Sequence, residues 1–273
     1  MREKEFGRKY IIEEFTRLSR EVSEEAELYL IGGGAMAIQG LKDATKDIDA
    51  VVTSERDFKP IRSALKGIGY RKVREPEEEY LDLGARSILE NRDGCRFDIF
   101  LRKVADKLMF SKEMQRRSKK FETEENTALR ITSSEDIFLF KCVAGRTADI
   151  EDMNTLVQTG LDFDEIFKEI KNQTNLLGEE LFITYINEAL LDLKKRFGVT
   201  ISLTEKVREF SKKVYNELDI LNRVDKETGT ELEELKNKIE FEEIRFEELI
   251  EDLEQKGVIE VQNEKIHRTG KKP

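Results

Sequence analysis

The sequence predicts an α/β (α+β) protein, in which a small mixed sheet layered with helices is followed by a helical region. Two observations support this fold class. Segments with helical spacing alternate with short apolar runs in the first part of the chain, whereas the spacing stays helical after Ser134. The length of 273 residues suits two or three domains, which we expect to span residues 1–125, 126–225 and 226–273.

The first four predicted elements are a helix, a strand, a second helix and a second strand. Residues 4–23 carry apolar side chains at helical spacing, which predicts an amphipathic opening helix. The apolar run Leu28–Ile31 predicts a strand that ends in Gly32–Gly34, and the helix-forming residues Ala35–Ile38 follow. The run Asp47–Val52 predicts the next strand.

The later elements continue this pattern and then become helical. In chain order they are helix Phe58–Leu65, strand Ser87–Leu89, a turn at Asn91–Gly94 and strand Arg96–Leu101. Ser133 or Ser134 is the expected N-cap of the first helix in the helical region. Long helices are expected around residues 176–197 and 203–221.

The C-terminal segment has two interpretations. Helices at Thr230–Ile239 and Phe246–Gln255 precede a predicted β-hairpin that turns at Asn263. This order is typical of a winged helix, but a plain helical hairpin capped by a β-turn fits as well. Both helices are acidic, which favours packing or protein partners over the reading of DNA.

The composition excludes several classes of protein. The chain is 38% hydrophobic and 39% charged, too apolar for a disordered protein and too charged for a membrane-embedded one. No segment approaches the roughly 18 apolar residues of a spanning helix, and no signal core is visible, so we expect a cytoplasmic protein without a membrane partner. A net charge of -10 argues against a surface built throughout for nucleic acid but allows a local basic groove.

Two acidic residues mark the strongest candidate site. Asp47 and Asp49 are two positions apart on a predicted strand, so their side chains project from the same face. Neighbouring carboxylates repel each other unless a cation lies between them, and hard oxygen ligands suit Mg²⁺. The alternative, an exposed strand end with two solvated acids, is disfavoured by the apolar residues Ile48 and Ala50–Val52.

Asp98 is the candidate third carboxylate. It lies within an apolar strand, where an unpaired ionised carboxylate would be costly. If its strand lies beside that of Asp47 and Asp49, the three acids could hold two metal ions about 3.5–4 Å apart, as in phosphoryl transfer. The alternative is a structural acid paired with Arg96 or Arg102.

Gly32, Gly33 and Gly34 are candidate phosphate-binding residues. They close a strand and open a helix, so unpaired backbone N–H groups and the positive helix end could hold a triphosphate. Three glycines alone are weak evidence, but their spacing from the paired aspartates makes the pattern specific.

The stretch LIGGGAMAIQGLKDATKDIDAVV resembles the signature of the polymerase-β-type nucleotidyltransferases, in which a glycine pair and a helix precede an Asp-hydrophobic-Asp strand. The strongest resemblance is to the AbiEii and MenT toxin-like branch and related archaeal proteins. It implies that Asp47 and Asp49 are metal ligands and that Asp98 is the third carboxylate. It also implies that Gly32 and Gly33 contact the triphosphate.

A second stretch, SSEDIFLFKCVAGRTADIEDMNTL, resembles the second block of that branch. The resemblance implies that Lys141 and Arg146 reach the phosphates of an NTP. It implies that Asp149 and Asp152 orient these residues or fix the helix. The alternative is a solvent-facing lysine followed by ordinary surface ion pairs.

The approach to Asp47 departs from the pattern of the branch. Many relatives carry an arginine there, whereas this chain has Lys42, Asp43 and Lys46. We include Lys46 among the nucleotide-binding candidates, and the departure leaves the nucleotide preference open.

The run from Arg102 to Lys120 is rich in Lys and Arg, including Arg116 and Arg117. It predicts either a solvated helix face or a groove for a polyanionic acceptor such as tRNA, placed beside the metals because it follows Asp98.

The expected activity is Mg²⁺-dependent transfer of a nucleoside monophosphate from an NTP to an acceptor hydroxyl. Two Mg²⁺ ions are expected, with Mn²⁺ as an alternative, and Asp98 would help to remove the proton of the acceptor. The resemblance favours a tRNA 3′ end and an antitoxin-like protein partner, while other RNA, protein hydroxyls and small molecules stay open as acceptors. The competing hypothesis is a non-catalytic, NTP-sensing regulator whose winged helix binds DNA or a protein.

Overall fold

The computed structural model describes residues 4–73, 84–121, 127–177, 182–239 and 246–271. Its strands are β1 (Phe6–Gly7), β2 (Ala26–Ile31), β3 (Ala44–Thr45), β4 (Asp47–Val52), β5 (Arg71–Lys72), β6 (Ser87–Glu90), β7 (Arg96–Leu101), β8 (Lys103–Val104), β9 (Leu108–Met109), β10 (Lys119–Lys120), β11 (Thr127–Ile131), β12 (Thr230–Glu231), β13 (Ile259–Gln262) and β14 (Lys265–Arg268). Its helices are α1 (Arg8–Glu21), α2 (Gly32–Gln39), α3 (Glu55–Gly67), α4 (Lys112–Arg117), α5 (Ser134–Ala144), α6 (Thr147–Val157), α7 (Phe163–Leu177), α8 (Phe182–Phe197), α9 (Ser202–Arg223), α10 (Leu232–Lys238) and α11 (Phe246–Gln255). In these ranges, no helix combines the length and the apolar character needed to cross a membrane.

A mixed sheet forms the centre of the fold, and its seven described strands have the order β10-β11-β2-β4-β7-β6-β5. β2 runs antiparallel to β4, and β4 runs parallel to β7. β11 pairs in parallel with β2, so the sheet extends past residue 125, where a domain boundary is predicted. The predicted α/β (α+β) class is confirmed, and the division into three domains stays a prediction.

Helices α1 and α3 cover one face of the sheet. Phe97 in β7 contacts the rings of Phe15 in α1 and of Tyr70 just after α3, with ring centroids 5.8 and 6.0 Å apart. Phe97 lies opposite Ile48 of β4, which is also buried. Because side chains alternate along a strand, the two aspartates of β4 and Asp98 project from the opposite face.

The first predicted helix is shorter than expected. α1 begins at Arg8 rather than at residue 4, because Phe6 and Gly7 pair with β3 as a short strand. The expected helix around residues 176–197 corresponds to parts of two described helices. Helix α7 ends at Leu177, and α8 begins at Phe182.

Two local predictions about helix and strand ends are confirmed. The Ser133 hydroxyl accepts a hydrogen bond from the Asp136 amide at 3.2 Å, as an N-cap of α5 should. The segment Asn91–Gly94 joins the antiparallel strands β6 and β7, and Gly94 has a φ of 85°. Glycine suits this turn because a left-handed backbone strains any residue that carries a Cβ atom.

Among the described residues, the buried apolar side chains form two clusters. The larger cluster extends through the sheet and helices from Phe6 to Val214, and the smaller one extends from Ile220 to Ile266. In the smaller cluster β14 pairs with both β12 and β13. The predicted hairpin turn is present, with positive φ at Asn263 and Glu264. The winged-helix assignment stays a prediction.

Arg117, at the end of α4, joins three helices through carboxylates. Its Nη2 donates to Asp136 of α5 at 2.6 Å and to Glu169 of α7 at 2.7 Å, while its Nη1 donates to Glu165 at 2.9 Å. Only 18% of the Arg117 side chain is exposed. Arg117 is therefore a structural cation within the fold, although it belongs to the basic run of the sequence.

Replacing Arg117 with Met should lower the free energy of unfolding by about 3–5 kcal/mol, because Asp136 and Glu169 would be left buried without a counterion. Urea denaturation measures this change. Arg116 offers a matched control, since its side chain is 71% exposed and pairs with Glu113 at the surface. Arg116→Met should change the free energy by no more than about 0.5 kcal/mol. Equal effects of the two substitutions would contradict the structural role of Arg117.

Candidate functional site

Three aspartates meet on the face of the sheet that α1 and α3 leave open. Asp49 of β4 lies directly opposite Asp98 of β7, and Asp47 lies opposite Arg96. Carboxylate oxygens of the three aspartates lie within 4.8 Å of one another. The predicted juxtaposition of the two strands is therefore present, because the parallel register aligns both pairs of residues.

Burial and mutual repulsion oppose ionisation of these acids. Burial raises the pKa of Asp98 to about 7, with Arg96 opposing the rise and Asp47 adding to it. Burial, and then the charges of Asp47 and Asp98, raise the pKa of Asp49 well above its ordinary range. A cation among the three carboxylates would relieve this repulsion, and their oxygens are the ligands that hard divalent ions prefer.

Arg96 supplies a positive charge at one side of the acidic cluster. Its Nη2 donates to Asp47 at 2.6 Å, and its Nε lies 3.1 Å from both oxygens of Asp98. The pairing of Asp98 with Arg96 that the sequence left open is thus present, whereas Arg102 donates to the Thr53 carbonyl oxygen. Because Arg96 also contacts Asp47, it belongs to the cluster and leaves two of the three negative charges unbalanced.

The glycine turn packs directly against the acidic strand. Gly32 has a φ of 60°, and a Cβ atom there would lie 2.6 Å from Oδ2 of Asp49. A Cβ atom on Gly33 would lie 2.5 Å from the Thr45 hydroxyl oxygen. The N-cap of α2 is Ile31, whose aliphatic side chain has no group that could accept a hydrogen bond from the first turn of the helix. Backbone N–H groups at this helix end are therefore available to an anion.

Gly34 occupies a different environment from the other two glycines. A Cβ atom at this position would lie 3.1 Å from the Leu30 side chain, so its α-carbon faces the core. Only its backbone N–H group could serve the predicted phosphate contact.

A network of ion pairs lies beside the acidic cluster. Lys141 of α5 contacts Asp149 and Asp152 of α6, each at 2.8 Å. Arg146 binds both oxygens of Asp149, through Nε at 2.8 Å and Nη2 at 3.2 Å. Lys42, between α2 and β3, binds both oxygens of Asp152 at 2.8 and 3.0 Å. Asp149 and Asp152 therefore hold cations from three parts of the chain.

The cations of this network differ in exposure. The Lys141 side chain is 8% exposed, whereas those of Lys42 and Arg146 are each 31% exposed. Burial alone would lower the pKa of Lys141, but Asp149 and Asp152 raise it above its ordinary value. Burial would likewise lower the pKa of Arg146, but Asp149, and then Asp49 and Asp47, raise it. Arg146 is thus close enough to the paired aspartates to interact with their charges.

A cleft of about 570 Å³ connects the acidic cluster, the glycine turn and the ion-pair network. Of the predicted nucleotide-binding residues, Gly33, Lys46, Lys141, Arg146, Asp149 and Asp152 line it together with Asp47 and Asp49. The start of α6, at Thr147 and Ala148, opens into the same space. The cleft therefore combines carboxylates for a cation with positive groups for an anion.

Several residues that line the cleft were not assigned to the site from the sequence. Lys42, Thr45 and Glu5 all contribute to its wall. Lys42 was visible as a basic residue before Asp47, but nothing local in the sequence shows that it reaches Asp152. Glu5 carries no recognisable signal, because β1 brings it to the cleft only through pairing with β3.

A protein-family model described as "Nucleotidyltransferase of unknown function (DUF6036)" matches residues 9–181, which is more than half of the chain. The chain belongs to this family. The matched region contains the acidic cluster, the glycine turn and the whole ion-pair network. No curated protein sequence matches the chain. As a DUF6036 nucleotidyltransferase it is expected to use an NTP. Its membership of the AbiEii and MenT branch stays a prediction.

The basic run of this DUF6036 chain does not form one continuous groove beside the acids. Lys107 lies 3.9 Å from the centre of the Tyr185 ring, and Arg117 is held by three carboxylates. Lys119 and Lys120 form β10, separated from β4 by β11 and β2. At about 4.8 Å per strand, this places them roughly 14 Å from the acidic strand. Within the run, the exposed residues are the ones available to an acceptor.

Replacing Gly32 with Ala should disturb the acidic cluster, whereas Gly40→Ala should not. Both glycines have positive φ, so each substitution should cost roughly 1–2 kcal/mol of stability. A Cβ atom meets Asp49 only at Gly32, since nothing lies within 4 Å of it at Gly40. We expect Gly32→Ala to weaken Mn²⁺ binding at least roughly tenfold. Isothermal titration calorimetry measures the Mn²⁺ affinity of the two variants. Equal affinities would refute this placement of Gly32.

Proposed function

We propose that the chain is a Mg²⁺-dependent enzyme that transfers a nucleoside monophosphate from an NTP to an acceptor hydroxyl. The observation that carries this proposal is the cluster of Asp47, Asp49 and Asp98 beside a glycine turn at a helix N-terminus. Membership of a nucleotidyltransferase family supports the same reaction class. The proposal adds the metal, the roles of individual residues and the acceptor.

The chemistry of the three carboxylates fits divalent cations. Asp47 and Asp49 would hold both ions and Asp98 one of them, with Mg²⁺ as the metal and Mn²⁺ as a substitute. When bound, the ions supply positive charge at the attacking and leaving oxygens. Arg96 keeps Asp47 and Asp98 oriented through its hydrogen bonds to both residues.

The residues around the glycine turn are suited to hold the phosphates. The backbone N–H groups of Gly32 and Gly33 would donate to phosphate oxygens at the positive end of α2. Arg146 would place its charge near the aspartates and offset the charge that develops as pyrophosphate leaves, while Lys46 lines the same cleft. The contribution of these groups is electrostatic, since phosphoryl transfer needs positioning more than covalent chemistry.

The proposed acceptor is an RNA, with the 3′ end of tRNA as the first candidate. The resemblance to the toxin-like branch motivates this choice, and an antitoxin-like protein would be the matching partner. Lys112, Arg116, Lys119 and Lys120 are exposed on the basic run and are available to phosphates.

Incubation with Mg²⁺, each of the four α-³²P-labelled NTPs and total tRNA, followed by a denaturing gel, tests the reaction. Label in RNA would identify an RNA acceptor, and label on the protein would identify a protein acceptor. Absence of label in the presence of tight NTP binding would contradict nucleotidyl transfer to RNA or protein and favour the NTP-sensing regulator.

Asp49→Asn should reduce transfer by more than about 100-fold, because loss of a direct metal ligand should exceed the effect of losing a supporting hydrogen bond. Asp43→Asn is the matched control, since Asp43 is an exposed acid on the same approach to β4. The control should retain wild-type transfer and stability. Full activity of Asp49→Asn would rule out the proposed mechanism.

A further inference from the structure

We infer that Lys42 is a binding residue for the terminal phosphates of the nucleotide and that Asp152 positions it. This inference rests on the proposed function and names a contact that the sequence pattern did not assign. It predicts that Asp152 acts through Lys42 and Lys141 rather than by touching the nucleotide.

Lys42 lies at the edge of the proposed phosphate site. Its Nζ atom is 4.0 Å from the position that a Cβ atom would take on Gly33, at the first turn of α2. It lines the same cleft as Asp47 and Asp49. A phosphate held by the backbone of the glycine turn would therefore lie within reach of the Lys42 ammonium group.

Asp152 fixes the Lys42 ammonium group without using all of its donors. Both carboxylate oxygens of Asp152 contact Lys42 Nζ, and Asp152 Oδ2 also contacts Lys141 at 2.8 Å. A lysine ammonium group has three N–H donors. In the described part of the chain, the contacts of Lys42 Nζ are to Asp152, and its side chain is 31% exposed toward the cleft. Donor capacity therefore remains for a ligand.

Lys141 is less suited than Lys42 to direct contact. It is 8% exposed, and it contacts two carboxylates, Asp149 and Asp152. Its charge is needed to offset Asp149 and Asp152, both of which are buried. Lys141 thus serves as a buried counterion of Asp149 and Asp152, while the more exposed Lys42 presents its charge to the cleft.

The charge balance of the network depends on Lys42. Lys42, Lys141 and Arg146 face Asp149 and Asp152, which leaves one positive charge in excess. Without Lys42 the network would be neutral, and its attraction for a polyphosphate would be much smaller.

The position of Lys42 also determines which phosphate of the nucleotide it could contact. The reacting phosphate must lie at the three aspartates, and the described contacts of Lys42 include none of these. Lys42 should therefore bind the phosphates beyond the reacting one, so that it affects a triphosphate much more than a monophosphate.

Equilibrium binding of α,β-methylene NTPs and of the matching NMPs, in the presence of Mg²⁺, tests the inference. We expect Lys42→Met to weaken triphosphate binding roughly tenfold or more, as loss of a charge-assisted hydrogen bond should. NMP affinity should stay within about twofold. Lys42→Arg should restore most of the triphosphate affinity, because it keeps the charge. Lys59→Met, at an exposed lysine of α3, is the control for loss of a lysine elsewhere.

Two results would overturn the inference. Unchanged triphosphate affinity in Lys42→Met would show that Lys42 does not bind the terminal phosphates. Equal losses for NMP and triphosphate would identify a structural role instead. The wild-type protein separates the two proposals: binding and transfer by wild type with no effect of Lys42→Met would refute only the role of Lys42. Neither binding nor transfer by wild type would refute the proposed function itself.

Discussion

Repulsion among three carboxylates is the constraint on which the rest of the site depends. Asp49 and Asp98 face each other across a parallel strand pair, and Asp47 adds a third negative charge within 4.8 Å. The buried apolar side chains on the other face of β4 and β7 set the register that holds them there, since a slip of one residue would move every side chain to the opposite face. The packing energy of the core thus maintains an arrangement that its own charges oppose.

Positive charge surrounds this cluster from two directions. Arg96 binds Asp47 and Asp98 from within the sheet, whereas Arg146 approaches from the N-terminal end of α6. Asp149 and Asp152 hold Lys42, Lys141 and Arg146 in turn, which ties the helical region to the segment between α2 and β3. Buried ion pairs of this kind contribute little net stability, but removal of one member leaves an uncompensated charge. They therefore define the shape and charge of the cleft more than the stability of the fold.

The sequence revealed those parts of the site whose signal is local. Asp47 and Asp49 could be paired because strand alternation relates residues two positions apart, and the glycine turn could be recognised because strand, turn and helix follow one another directly. The strand of Asp98 was recognisable from its apolar residues, but its pairing with β4 was only a hypothesis. The ends of elements were less predictable: α1 begins four residues late because Phe6 and Gly7 pair with β3.

By itself, the sequence determined the fold class, the acidic residues of the candidate site and the glycine turn, because each depends on the character of neighbouring residues. Only the tertiary structure decided which basic residues face the cleft. Lys42, Lys141 and Arg117 are all basic residues, yet their positions differ. Lys42 lines the cleft with a partly exposed side chain, Lys141 lines it from a buried position between two acids, and Arg117 joins α4 to α5 and α7. These positions differ because each basic residue pairs with acids elsewhere in the sequence, up to 110 residues away for Lys42 and Asp152. The free energy of a charged side chain depends on its burial and its counterions rather than on its neighbours in the sequence.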